Sequence, residues 1–170
     1  MNILKIIVVS LSLSVLAGDI NIGQKVPMFK VKNHMGKDFE MASRKGKWTV
    51  LYFYPKAGTP GCTKQACAFR DSIKPMRKLG AEVYGISTDS IKDQAQFHEE
   101  HSLIFDLLSD EDGKVTKQFG AKMAVFNISK RWTFIIGPNL KIASVNRDVD
   151  PMLDAKNVTK KLEELMKKRK

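Results

Sequence analysis

Cysteine is scarce in this sequence, with two cysteines among 170 residues. Two thiols are too few for a small protein held together by several disulfides, or for a zinc site made of four thiolates. The chain also lacks internal repeats and low-complexity segments. Its 43% hydrophobic and 28% charged residues are ordinary for folded proteins and exclude a disordered or fibrous class. At this length we expect one domain.

Acidic residues are in the minority. There are 18 Asp and Glu against 29 Lys and Arg, which gives a formal net charge of +11. The basic C-terminus, with Lys160-Lys161 and the final segment 167–170, could attract nucleic acid or anionic lipid. Cations at the end of a helix also complement the helix dipole and keep the surface solvated. This simpler interpretation predicts no nucleic-acid partner.

The apolar run at the N-terminus is short. It covers residues 6–17, fewer than the roughly 20 that a membrane-spanning helix needs. It follows Lys5 and ends in Val15-Leu16-Ala17, where small residues suit a cleavage site. We therefore predict a signal peptide over 1–17 and one domain over 18–170, with an uncleaved anchor as the alternative. Export would place both cysteines in an oxidising compartment, the periplasm in a bacterial host, with no stable membrane insertion after cleavage.

Strands and helices alternate along the rest of the chain. The segment 47–54 is rich in β-branched and aromatic residues and predicts a buried strand. Further strands are predicted at 82–88 and about 107–108, a hairpin at 132–136 and 141–145, and helices at 59–73, 91–101, 112–119 and 154–168. Pro75 is expected to break or kink the first helix, and Asp89 or Ser90 to cap the second. The pattern favours an α/β fold with a central mixed sheet flanked by helices.

Cys62 follows the first of these strands and a turn that contains Pro60 and Gly61, so it begins a helix. Helix N-termini present unpaired N–H groups and a partial positive charge, which stabilise a thiolate. Cys62 is therefore a candidate nucleophile. The alternative is an inert, buried cysteine that acts as a small hydrophobic residue.

Cys67 lies five residues after Cys62. In an intact α-helix that spacing separates the two Cα atoms by roughly 8.7 Å. A disulfide needs about 4.4–6.8 Å, so a bond between the two residues requires the helix to unwind. Such a bond is a weak structural link but a plausible catalytic intermediate.

The pattern Pro55-x-x-x-Thr59-x-x-Cys62 resembles the active-site signature of the peroxiredoxins, and Cys67 resembles the second cysteine of the peroxiredoxin Q, or bacterioferritin comigratory protein, subfamily. The resemblance covers most of the mature chain. Other matching segments are Gly23-x-x-Val26-Pro27-x-Phe29, Phe69-Arg70-Asp71, Gly85-Ile86-Ser87-Thr88-Asp89, Leu107-Leu108-Ser109-Asp110 and Arg131-Trp132-Thr133-Phe134. The resemblance implies a thioredoxin-like fold.

The resemblance also implies a role for each matching residue. Cys62 would be the peroxidatic nucleophile, which attacks a hydroperoxide and becomes a sulfenic acid. Thr59 would hydrogen-bond the thiolate and the peroxide, and Pro55 would shield the pocket from water. Arg131 would hold the thiolate and stabilise the negative charge of the transition state. Cys67 would be the resolving thiol.

The partners follow from the same resemblance: a hydroperoxide substrate and a thioredoxin-like dithiol reductant. No metal or organic cofactor is implied, because sulfur carries the redox chemistry, and we expect a monomer.

Two other functions use the same fold. An exported thiol-disulfide oxidoreductase typically has C-x-x-C, whereas four residues separate the cysteines here. A copper-delivery protein would need C-x-x-x-C and a suitably placed His, but the region 131–150 has no His. The sequence favours the peroxidase.

Overall fold

The computed structural model describes residues 20–167. The predicted signal peptide lies outside these residues, as does position 168 at the predicted end of the last helix. Between residues 20 and 167, no helix is both long enough and apolar enough to cross a membrane.

The described residues form one mixed sheet with helices on both sides. The strands are β1 (Lys30–Asn33), β2 (Asp38–Glu40), β3 (Trp48–Phe53), β4 (Ala81–Ser87), β5 (Asp106–Ser109), β6 (Trp132–Ile136) and β7 (Ile142–Asn146). The helices are α1 (Pro60–Lys78), α2 (Ile91–Glu100), α3 (Lys114–Gln118) and α4 (Asp154–Lys167), and a short 3-10 helix covers Met41–Arg44. The strand order is β2-β1-β5-β4-β3-β6-β7. Strands β3, β4 and β5 run parallel, and the other neighbours pair antiparallel.

The alternation in β3 explains why the sheet is covered on both faces. Val50 and Tyr52 belong to one buried cluster, together with residues of α1 and α4. Leu51 and Phe53 belong to a second cluster on the opposite face. Because successive side chains of a strand point to opposite faces, a strand that is apolar throughout must lie between two layers.

Every element predicted from the sequence within the described residues is present, with small shifts at its ends except for the end of α1. The strand predicted at 47–54 is β3, and the predicted hairpin is the antiparallel pair β6 and β7. Ser90 rather than Asp89 caps α2, since its Oγ accepts a hydrogen bond from the Asp93 N–H at 3.1 Å. The mixed sheet flanked by helices is as predicted.

The expectation that Pro75 would break or kink α1 near residue 73 is wrong in its boundary, because the helix continues to Lys78. Proline removes one N–H, which would otherwise bond the carbonyl of Asp71. Both Pro75 and Asp71 are exposed, so water can bind that carbonyl. Met76 packs into the core immediately after the proline and fixes the last turn.

The sequence interpretation missed β1 and β2. Both strands are short and charged, and mainly Phe39 and Asn33 are buried. Their pairing includes ion pairs of Lys30 with Asp38 and Glu40, each at 3.0 Å. Such short edge strands lack the continuous apolar run that identified β3.

Candidate active site

The loop between β3 and α1 delivers Cys62 to the start of a helix. The carbonyl of Tyr54 accepts a hydrogen bond from Ser129 Oγ at 2.6 Å, and the Tyr54 hydroxyl donates to Gln94 Oε1 at 2.6 Å. Burial raises the pKa of Tyr54, so its hydroxyl stays protonated as a donor. Farther along, the Ala57 N–H donates to Asp89 Oδ2 at 2.8 Å. These bonds fix the loop on both sides of Pro55.

Cys62 is the third residue of α1 and is almost fully buried, with 1% of its surface exposed. Arg131, which directly precedes β6, places Nη2 at 3.5 Å from the Cys62 Sγ. The structure therefore brings together the predicted nucleophile and the predicted arginine from opposite halves of the chain. A guanidinium at this distance stabilises a thiolate, and the N-terminus of α1 adds to the effect.

Gly61 allows this approach. A Cβ atom at position 61 would lie 3.2 Å from Arg131 Nη2. A side chain there would push the guanidinium away from the sulfur. Gly61, the second residue of α1, is thus part of the site geometry.

A hydrogen-bonded chain runs from Arg131 into the core. Arg131 Nη1 donates to Gln65 Oε1 at 2.7 Å, and Gln65 Nε2 donates to Asp154 Oδ2 at 2.7 Å. The same carboxylate oxygen accepts from Thr133 Oγ1 at 2.7 Å. Gln65, Thr133 and Asp154 are all buried, so the arginine is held by groups that exclude water.

Thr59 and Pro55 lie in the loop that leads to Cys62, and both are partly buried. Thr59 is the residue before α1, and its hydroxyl donates to the carbonyl of Lys56 at 2.9 Å. The hydrogen bond from Thr59 to the thiolate and the shielding role of Pro55 remain predictions.

Cys67 lies on the same uninterrupted helix as Cys62. Both cysteines are free, and Cys67 is partly exposed. Arg70, one turn farther on, donates from Nη1 to the carbonyl of His101 at 2.7 Å and from Nε to Asp71 at 2.8 Å. The second half of α1 is thus attached to the end of α2, while its first half carries the cysteine pair.

The described residues do not bring three His, Cys, Asp or Glu side chains together in a way that could hold a metal ion. The ring of His98 stacks on the ring of His34 with centroids 3.8 Å apart, and the ring of His101 contacts the ring of Phe97.

Sequence reasoning missed three residues of this site, namely Gly61, Gln65 and Asp154. Asp154 had the pattern of an ordinary acidic residue in the first turn of a helix. Gln65 lies one turn after Cys62, which places it near the same helix face. That spacing was a usable signal, but nothing in the sequence links it to Asp154, 89 residues away.

Comparisons with known proteins identify related chains. A chloroplastic peroxiredoxin Q from Populus jackii is 45% identical over 118 residues, which are 69% of this chain and 55% of that protein. One from Sedum lineare is also 45% identical over 118 residues, 69% of this chain and 63% of that protein. The chain thus spans little more than half the length of these curated relatives.

Solved structures share the fold. The crystal structure of the peroxidoxin BcpB from Mycobacterium tuberculosis superposes with a TM-score of 0.80 at 34% identity, covering 85% of this chain and 97% of that one. A PrxQ mutant from Xylella fastidiosa gives 0.82 at 28% identity, covering 86% and 98%. The predicted thioredoxin-like fold and the resemblance to peroxiredoxin Q are confirmed. The AhpC/TSA family matches residues 22–145, and the chain belongs to that family.

Proposed function

We propose that this protein is a thiol-dependent peroxidase that reduces hydrogen peroxide and organic hydroperoxides. The observation that carries the proposal is the distance of 3.5 Å between Arg131 Nη2 and the Sγ of buried Cys62 at the start of α1. Membership in the AhpC/TSA family supports it. Relatives by sequence are named peroxiredoxin Q, and a structure with the same fold is named a peroxidoxin.

In the first step, the Cys62 thiolate attacks the terminal oxygen of the hydroperoxide and breaks the O–O bond. The sulfur is oxidised to a sulfenic acid, and the other oxygen leaves and takes up the proton that the Cys62 thiol gave up on ionisation, which yields water or an alcohol. Negative charge spreads from sulfur onto both oxygens during this step. Arg131 and the N–H groups at the start of α1 are already oriented toward this charge, which lowers the barrier.

In the second step, the Cys67 thiol attacks the sulfenic acid. A Cys62–Cys67 disulfide forms and water leaves. A dithiol reductant of the thioredoxin type then reduces the disulfide and becomes oxidised itself. The cycle uses the two cysteines, a hydroperoxide and a dithiol, so it needs no metal or organic cofactor.

A thiol-disulfide oxidoreductase and a copper carrier are less well supported. The two cysteines are separated by four residues rather than by the two of C-x-x-C, and the structure places an arginine next to Cys62. A cation beside the sulfur stabilises a thiolate and a developing anion, whereas it opposes the approach of Cu(I).

The proposal is tested by peroxide turnover with a dithiol reductant. Cys62→Ser should abolish reduction of the peroxide, because the nucleophile is lost. Cys67→Ser should react with one equivalent of peroxide but lose recycling through the intramolecular disulfide. Turnover that persists in Cys62→Ser would show that a different group reduces the peroxide, and parental recycling in Cys67→Ser would overturn its resolving role.

Export, the domain limits and the monomeric state remain predictions beside this proposal. The signal-like segment 1–17 and the mature domain 18–170 predict that protein recovered from the host begins near Gly18 and fractionates outside the cytoplasm. N-terminal sequencing and cell fractionation test this. Sedimentation velocity tests the predicted monomer.

A further inference from the structure

Asp154 is a buried charged group for which the proposed reaction has no direct use. It begins α4, and 1% of its surface is exposed. Burial raises its pKa, which the hydrogen bonds from Thr133 and Gln65 and the nearby charge of Arg131 partly oppose. Burying a carboxyl group in the core costs free energy unless hydrogen bonds or opposite charges compensate. The hydrogen bonds of Asp154 therefore indicate its role.

These contacts lead to the nucleophile in three hydrogen bonds. Asp154 Oδ2 accepts from Gln65 Nε2 at 2.7 Å, and Gln65 Oε1 accepts from Arg131 Nη1 at 2.7 Å. Arg131 Nη2 then lies 3.5 Å from the Cys62 Sγ. The four residues belong to α1, to the position before β6 and to α4. This series of hydrogen bonds therefore connects the candidate site to α4, a helix that contains no cysteine.

Each hydrogen bond in this series has a fixed donor and a fixed acceptor. An ionised carboxylate can only accept, so it selects the amide group of Gln65 as its partner. The carbonyl oxygen of Gln65 must then face Arg131, which can only donate. With the opposite orientation the amide hydrogens would face the guanidinium, and the hydrogen bond from Arg131 would be lost. The orientation of one amide therefore depends on Asp154.

The two oxygens of Asp154 have different surroundings, since Oδ2 accepts both hydrogen bonds described above. Oδ1 has no hydrogen-bond partner among the described residues. Asp154 lines a cavity of about 250 Å³ between β6, β7 and α4, together with polar side chains such as Ser144, Asn146 and Asn157. A cavity of this size and polarity can hold water, which would leave Oδ2 for Thr133 and Gln65.

We infer that Asp154 is a positioning residue for the peroxide reaction, because it orients the amide of Gln65, which in turn holds Arg131 against Cys62. The inference rests on the proposed function. It predicts that changes at Asp154 alter the rate at which Cys62 reacts, although Asp154 touches neither the sulfur nor the peroxide.

The first test is the rate constant for a single reaction of the reduced protein with hydrogen peroxide, measured by rapid quenching and intact mass. Asp154→Ala should lower it by about tenfold, the effect of one lost hydrogen bond to a charged group. Asp110→Asn is the matched control. Asp110 is also buried, with 2% exposure, but its carboxylate accepts from the N–H groups of Val115 and Thr116 at the start of α3. This control should react at the parental rate.

The second test exchanges the donor and the acceptor in the hydrogen bond between residues 65 and 154. It does not require Asp154→Ala to fold. Gln65→Glu places a second carboxyl against Asp154, and the two groups must share a proton. As the pH rises and that proton is lost, the rate of Gln65→Glu relative to the parent should fall. Asp154→Asn in the same background supplies an amide donor to the new carboxylate. The double variant should recover to within about threefold of the parental rate and lose the added pH dependence.

Rates of Asp154→Ala within about twofold of the parent, or a double variant that is no faster than Gln65→Glu, would overturn the positioning role. If Asp154 served only the stability of the fold, the variants would lose stability but would react at the parental rate wherever they remain folded, and the double variant would give no rescue. If the parent protein itself does not react with peroxide, the proposed function fails. If the parent reacts and the variants react equally well, the positioning role alone fails.

Discussion

At the scale of single residues, the site depends on the distance between one guanidinium and one sulfur. Cys62 is predictable from its position after a buried strand and a Pro/Gly turn. Arg131 is predictable only through the family resemblance, because no local pattern connects it with a cysteine 69 residues away. Gly61 and Asp154 were not predicted to belong to the site. In the sequence, Gly61 has the pattern of a turn residue and Asp154 that of an acidic residue in the first turn of a helix. Their importance arises from contacts that exist only in the folded chain.

Gly61→Ala should slow the reaction of Cys62 with peroxide by several-fold while leaving the free energy of unfolding nearly unchanged. The new Cβ would lie 3.2 Å from Arg131 Nη2, and the guanidinium can move away from it because it is the end of a flexible side chain. The displacement weakens charge stabilisation at the sulfur. Single-reaction rates and denaturant unfolding measure the two effects.

Gly80→Ala, at the other end of α1, is the contrasting control. Gly80 has a φ of +73°, and a Cβ there would meet nothing within 4 Å. Its cost is backbone strain, so stability should fall by about 1 kcal/mol while the rate stays parental. Equal rates for the parent and Gly61→Ala would contradict the role of the close approach.

The titration of Asp154 predicts a pH dependence of stability. Its folded pKa is raised above the ordinary value of 3.8, so ionisation of the carboxyl opposes folding. The stability of the parent relative to Asp154→Asn should therefore be greatest at low pH and fall as the pH rises from 3.8 through the folded pKa. The hydrogen bonds from Thr133 and Gln65 and the charge of Arg131 limit this loss.

Denaturant unfolding of both proteins at several pH values measures the difference. A difference in stability that is independent of pH, or that grows in favour of the parent as the pH rises, would contradict the burial of an ionisable carboxyl at this position.

At the scale of elements, α1 has two opposed tasks. Its intact first turns hold Cys62 against Arg131, but the proposed disulfide requires those turns to open. The helix geometry separates the Cα atoms of Cys62 and Cys67 by roughly 8.7 Å, beyond the reach of a disulfide. Gln65 lies between them, so opening the helix must also break its bonds to Arg131 and Asp154. The proposed oxidation is therefore expected to break the contacts that promote it.

Hydrogen exchange can measure this opening. After oxidation by peroxide, the amides of residues 62–67 should exchange faster than in the reduced protein, because their helical hydrogen bonds are lost. Amides near the end of α1, where Arg70 bonds His101, should change little. In Cys67→Ser, oxidation should leave the protection of the first turns intact. Unchanged protection in the oxidised parent protein would contradict the opening of α1.

The elements themselves were largely predictable. The continuous apolar run of β3 and the helical periodicity of α4 are strong patterns, and the structure confirms both elements. The extent of α1 was underestimated because Pro75 lies on an exposed face, where a missing hydrogen bond costs little. The strands β1 and β2 were missed because each is stabilised by pairing within the sheet rather than by its own apolar pattern.

At the scale of the whole molecule, the sheet brings distant segments to one end of the fold. β3 lies next to β4 and β6 in the centre, so the loop before α1 and the residue before β6 meet. The antiparallel pairing of Phe53 with Trp132 places Arg131 near the end of β3, where the chain turns toward Cys62. The topology explains why one arginine from the second half of the chain reaches the cysteine. Alternation of strands and helices predicted the class of fold, but this register could not be read from the sequence.

The central claim is that peroxide drives a bond between Cys62 and Cys67 through a reactive Cys62 thiolate. The most direct measurement is the intact mass of the reduced protein after one equivalent of hydrogen peroxide, beside Cys62→Ser. The account predicts a rapid loss of two hydrogens in the parent protein and no such change in the variant. An unchanged mass in the parent protein, or the same rapid change in Cys62→Ser, would contradict it.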